Sequence, residues 1–124
     1  MKALLIVSAA IETAIGMALL LSPSVPVALL LGASLDAPGA LVAARIAGAA
    51  LLSLGIACWL ARNNQHGRTV AGLVAALLLY NVLAVAVLVH ASFGLGLSGF
   101  GIWPAAGLHT TLAIWCVACL RLKQ

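Results

Sequence analysis

Four runs of about twenty apolar residues, each bounded by charge or by a helix breaker, dominate this sequence. They cover residues 3–21, closed by Ser22-Pro23; 38–60, closed by Arg62; 69–91; and 104–120, closed by Arg121. A helix rising 1.5 Å per residue needs about 20 such residues to cross a hydrocarbon core of about 30 Å. The pattern therefore predicts an all-α, integral membrane four-helix bundle forming a single membrane domain over 1–124. Composition removes the soluble alternative, because a chain that is 65% hydrophobic and 6% charged has too little polar surface to coat a globular domain. Pro38 and Pro104 stand where proline is tolerated, in the first turn of a helix, and mark starts rather than kinks. Met1-Lys2 followed by an apolar stretch resembles a signal peptide. The run continues past Glu12 to Leu21 without a clean small-residue cleavage site, so it is expected to be an uncleaved first span.

Orientation follows from the connections. Lys2, Arg62, Arg68, Arg121 and Lys123 flank one side, while loops 22–37 and 92–103 carry only Asp36. The positive-inside rule then puts both termini and the "RNNQHGR" turn, with a solvent-facing His66, in the cytoplasm. Trp59 and Trp103 fall near opposite interfaces and Trp115 somewhat deeper. The basic residues are scattered singly and form no stripe, which argues against nucleic acid as a partner. The expected partner is the lipid bilayer, with further copies of the chain or other membrane subunits beside it. The stretch "VPVALLLG", residues 25–32, is too short to span. It lies along the outer interface or dips inward as a half-helix.

Ionisable residues inside spans are costly and tend to face the bundle interior, where they pair or line a pathway. Counting at 1.5 Å per residue puts Glu12 about 15 Å above Lys2 and Arg45 about 11 Å below Pro38, close enough in height to pair. Asn81 and Tyr80 reach a similar level, and His109 sits about 8 Å below Pro104. Arg45 shares a stripe with Leu41, Gly48, Leu52, Gly55 and Trp59; Ser8, Glu12 and Gly16 form another, and Ala105, His109, Ala113 and Cys116 a third. The predicted interior thus carries Glu12, Arg45, Tyr80, Asn81 and His109 as candidate ligand- or proton-binding residues. Two readings are open. In one, a Glu12–Arg45 pair with Asn81 and His109 around it fixes helix register. In the other, a small polar cavity lets Glu12 take a proton or a cation.

Other motifs carry less. "CVAC", residues 116–119, has the C-x-x-C spacing used by four-helix membrane oxidoreductases related to vitamin K epoxide reductase. Here the pair closes a helix on the cytoplasmic side, away from the helix start that would activate a thiol. Cys58 falls at about the same depth, so a three-thiolate metal site is conceivable, but no His or carboxylate joins it and small buried membrane residues are the expected role. "GLGLSG", residues 94–99, matches a dinucleotide fingerprint by letter only, since no strand precedes it. Its glycines, with Gly101, are expected to form a cap over the outer mouth of the bundle. His90 ends the third span near the height at which the fourth begins, so His90 and His109 form an alternative pair of ligands for haem or a metal. Two acidic residues, one of them in a loop, provide no paired-carboxylate site, and no hydrolytic triad or phosphate loop is available, so no enzyme activity is expected.

The runs "ETAIGMALLLSP", "ARIAGAALLSLGIACWLAR", "LLLYN" and "GIWPAAGLH" resemble the pattern of small four-span bacterial proteins, similar in outline to DoxX-like proteins. The resemblance covers nearly the whole chain and implies a bacterial inner-membrane four-helix bundle, without a ligand site to carry over. "AAIETAIG" also sits where the small multidrug resistance transporters, likewise four-span proteins, place a membrane-embedded glutamate. This chain departs from them in Arg45 and in its clear charge bias between the two sides. The expected function is a non-enzymatic binding or accessory role for the polar cluster, with no cofactor; the alternatives are a proton-coupled small-molecule carrier using Glu12, and the haem or metal role for His90 and His109.

Overall fold

The structure, a computed structural model, describes residues 1–64 and 67–122, so the expectations for His66 and Lys123 lie outside the described residues. The described residues form five helices and no strand: α1 (Lys2–Leu21), α2 (Ser24–Leu31), α3 (Pro38–Ala61), α4 (Arg68–Phe93) and α5 (Ile102–Arg121). All but α2 are long and apolar enough to cross a membrane. Pro38 opens α3 after an extended Ala37, as its fixed φ and missing N–H favour. Helix α5 starts two residues earlier than the sequence suggests, which puts Pro104 third, still within the turn whose N–H groups have no intrahelical acceptor.

Outward faces are apolar, with Val42, Ile46, Leu60, Val87 and Ile114 all exposed, as contact with lipid requires. The indoles of Trp59 and Trp103 are about half exposed at opposite ends of the bundle. Trp59 carries the Arg62 guanidinium over its ring at 3.7 Å, and Trp103 packs edge-on against Phe93 at 5.7 Å. The end that holds the termini has a core built from all four long helices, including Leu4, Leu5, Cys58, Val74, Leu77, Leu112 and Cys116. Cys58, Cys116 and Cys119 are free and buried there, as small apolar side chains.

The four long helices are not equivalent neighbours. Helix α1 packs most extensively against α3, and α4 against α5, so the bundle consists of two close pairs laid side by side. Glycine makes the first pair close. A Cβ on Gly16 would lie 2.6 Å from the Leu52 amide nitrogen and 2.8 Å from the Gly48 carbonyl oxygen. One on Gly48 would lie 2.8 Å from the Gly16 carbonyl oxygen, and one on Gly55 2.9 Å from the Thr13 nitrogen. Backbone therefore meets backbone along this crossing, which small residues permit and which replaces the hydrophobic driving force that lipid removes.

The stretch "VPVALLLG" falls within and just after α2. This short helix packs beside α1 and against the start of α5, over the end of the bundle opposite Lys2 and Arg121. Gly32 ends it in the left-handed conformation at φ 67°, its N–H donating to the Ala28 carbonyl. The glycine-rich segment before α5 then clasps α2: the Gly101 N–H donates to the Leu29 carbonyl at 2.9 Å, and a Cβ on Gly99 would collide with the Leu30 carbonyl. The expected glycine cap is thus a seam that holds α2 in place.

Candidate functional site

Between the two helix pairs and beneath α2 lies a cavity of about 310 Å³. Its walls are apolar, with Ile11, Ile15, Leu19, Val27, Leu30 and Leu108 among them, and its polar side chains are Glu12, Tyr80 and His109. Each arrives from a different helix. Ser8, Glu12 and Gly16 recur every four residues along α1 and are all buried, so one stripe of α1 both packs and delivers the carboxyl group. Glu12 is 2% exposed, and its Oε1 has no hydrogen-bond partner among the described residues. The Tyr80 hydroxyl from α4 faces the same carboxyl group.

Behind the cavity wall, Asn81 organises the rest. It is 1% exposed, and both its polar side-chain atoms are engaged. Nδ2 donates to the Leu77 carbonyl at 2.7 Å, one turn back, which orients Oδ1 toward α5. There Oδ1 lies 2.8 Å from His109 Nδ1. Because Oδ1 only accepts, Nδ1 carries the proton and donates, and in the neutral ring Nε2 keeps an unshared electron pair. The edge of one ring against the other, Tyr80 on His109 with centroids 5.5 Å apart and planes at 86°, fixes both orientations.

The structure brings together Glu12, Tyr80, Asn81 and His109 and leaves Arg45 outside. Arg45 is exposed on α3 and makes no ion pair among the described residues. The reason is the register set by the glycines. Gly55 meets Ala9 and Thr13, flanking Glu12 in sequence, whereas Gly48 meets Leu19 and Leu20. Arg45 lies ten residues before Gly55, about 15 Å away along α3. Counting heights from the span ends assumed that both helices start level with the membrane surfaces; the 24-residue α3 is longer than the 20-residue α1, and the contacts rather than the ends set the alignment. Arg45 also stands at the edge of its stripe, while Gly48 and Gly55 hold the buried centre.

The proposed pairing of His90 with His109 is corrected as well. His109 is engaged by Asn81, and His90 lies nine residues further along α4, about 13 Å beyond. Its ring is exposed and rests over Gly94 at the helix end. Among the described residues no three His, Cys, Asp or Glu side chains cluster in a way that could hold a metal ion.

Sequence reasoning missed the apolar lining. Pro26, Val27, Leu29 and Leu30 of α2 close the cavity, and nothing in an evenly apolar octet signals which side faces a void. Comparison with family models, with curated proteins and with solved structures finds no match for this chain, so its own geometry carries the interpretation.

Proposed function

We propose that this chain is a non-enzymatic, multi-pass protein of a bacterial inner membrane, with both termini cytoplasmic, that binds a small ligand in the cavity beneath α2. The observation that carries the reading is the Glu12 carboxyl group, buried in a roomy apolar cavity with one oxygen unpartnered. Buried polar groups in native proteins are almost always hydrogen-bonded, and a carboxyl group left partly unpartnered in the wall of a ligand-sized cavity is poised for something that enters. Lys2, Arg62, Arg68 and Arg121 all lie at the end where α1 begins and α5 finishes, which supports this orientation; with it, the cavity would lie in the outer half.

A lipophilic carbodiimide tests access. Dicyclohexylcarbodiimide is a compact apolar molecule that reacts with carboxyl groups, and the chain has only one other acidic side chain, Asp36. Peptide mass mapping of the protein in lipid nanodiscs is expected to find the adduct on Glu12, and to find it lost in Leu30→Trp, where an indole fills the cavity. An unlabelled Glu12, or equal labelling in Leu30→Trp, would mean that small molecules do not reach it through this cavity.

A second reading, a proton-coupled carrier, is favoured by one specific observation: among the described residues no permanent cation neutralises Glu12, because Arg45 lies elsewhere. A carboxyl group without a fixed counter-ion is free to exchange a proton for a ligand. The two readings differ in proteoliposomes. A carrier with Glu12→Gln loses proton-coupled uptake yet remains folded, whereas a binding protein shows no proton-coupled flux in either form.

A further inference from the structure

Resting on the binding reading, the polar inventory of the cavity specifies the ligand's head group. The Glu12 carboxyl group lines the cavity and, when ionised, only accepts. His109 has Nδ1 bonded to Asn81, so the only polar ring atom it can offer the cavity is Nε2, an acceptor in the neutral ring. With Glu12 ionised, Tyr80 supplies the sole donor among the lining side chains, and its hydroxyl already faces Glu12. Among the described residues no lysine or arginine lines the space. An anion, or a ligand whose polar atoms only accept, would leave both acceptors unmet and add negative charge beside a carboxylate.

Two acceptors, one of them able to carry a full negative charge, call for a head that donates at least two hydrogen bonds and is itself positive. The walls call for an apolar body, and a void of about 310 Å³ lies near the lower end of the ligand-pocket range. We propose that the cavity binds a small lipophilic primary amine in its ammonium form, donating one N–H to the Glu12 carboxylate and another to His109 Nε2, with its apolar part against Ile15, Leu19, Val27 and Leu30. A quaternary ammonium has the charge without the N–H groups, and an alcohol has one donor without the charge. Neither meets both requirements.

The test uses three molecules with one body: 4-phenylbutylamine, its N,N,N-trimethylammonium analogue and 4-phenylbutan-1-ol. Each is titrated calorimetrically into the full chain in nanodiscs, against empty nanodiscs of the same lipid. The amine is expected to bind roughly tenfold or more tightly than either analogue, the range that charge-assisted hydrogen bonds support. Glu12→Gln is expected to bring the amine down to the level of the alcohol, and Leu30→Trp to abolish binding of all three. Equal affinity for the amine and the trimethylammonium compound overturns the role of N–H donation. Equal affinity for the amine and the alcohol overturns the amine class while leaving a cavity that binds apolar molecules. Amine binding that persists in Leu30→Trp locates it elsewhere, and no binding of any of the three to the folded protein overturns the binding reading itself. The wild-type series decides the class even where a variant does not fold.

Discussion

Gly48→Leu is expected to cost at least about 3 kcal/mol of stability and to separate α1 from α3. Overpacking a well-fitted interior commonly costs about 1–3 kcal/mol, and flexible neighbours absorb part of it. Here the first added atom already meets the Gly16 carbonyl oxygen at 2.8 Å and the Leu20 amide nitrogen at 3.0 Å, and neither can move without moving α1. The rest of the leucine has no space to enter. Thermal unfolding in detergent, followed by circular dichroism, should show the loss directly. Gly39→Leu is the matched control, because no atom lies within 4 Å of a Cβ built there. A Gly48→Leu protein as stable as that control would mean that the two helices are not held in contact by this crossing.

The second large effect has the opposite sign. The double replacement Glu12→Met with Tyr80→Phe is expected to stabilise the protein by about 1–3 kcal/mol, because it removes a buried acceptor that lacks a partner. Replacing both groups matters: Glu12→Met alone leaves the tyrosine hydroxyl facing an apolar side chain. Methionine is long and adaptable enough to occupy the glutamate's place. The same protein should lose carbodiimide labelling at position 12, so that a gain in melting temperature accompanies loss of the site. Such opposition is expected where a residue is kept for binding at the expense of stability. A marked loss of stability instead would identify the Glu12–Tyr80 contact as a structural lock, and the cavity as incidental.

Much of this arrangement is legible in the sequence. Span limits agree with the helices to within a few residues, because twenty apolar residues bounded by charge have few alternatives in a bilayer. Glu12, Asn81 and His109 stand out for the same reason: a polar group in an apolar run is conspicuous and must be accommodated. Relative height is the part that sequence does not convey. Arg45 and His90 each qualified by residue type and approximate depth, yet contacts between particular glycines and between Asn81 and His109 place both more than two helical turns from the site. Helix α2 is illegible for a different reason. Apolar on every side, it has no periodicity to distinguish a face turned to lipid from one turned to a void.

The division into two close pairs has a consequence for how the molecule is made. Chains emerge from the ribosome N-terminus first, so α1, α2 and α3 are available to one another before α4 and α5 exist. The glycine crossing can therefore form early, and while it does so Glu12 is in lipid without Tyr80 beside it or His109 nearby. For that interval the nascent protein carries a carboxyl group facing the hydrocarbon, which lipid head groups, water defects or an insertion factor must tolerate. Arrival of the second pair ends the exposure, and the cavity comes into being only at that last step of assembly.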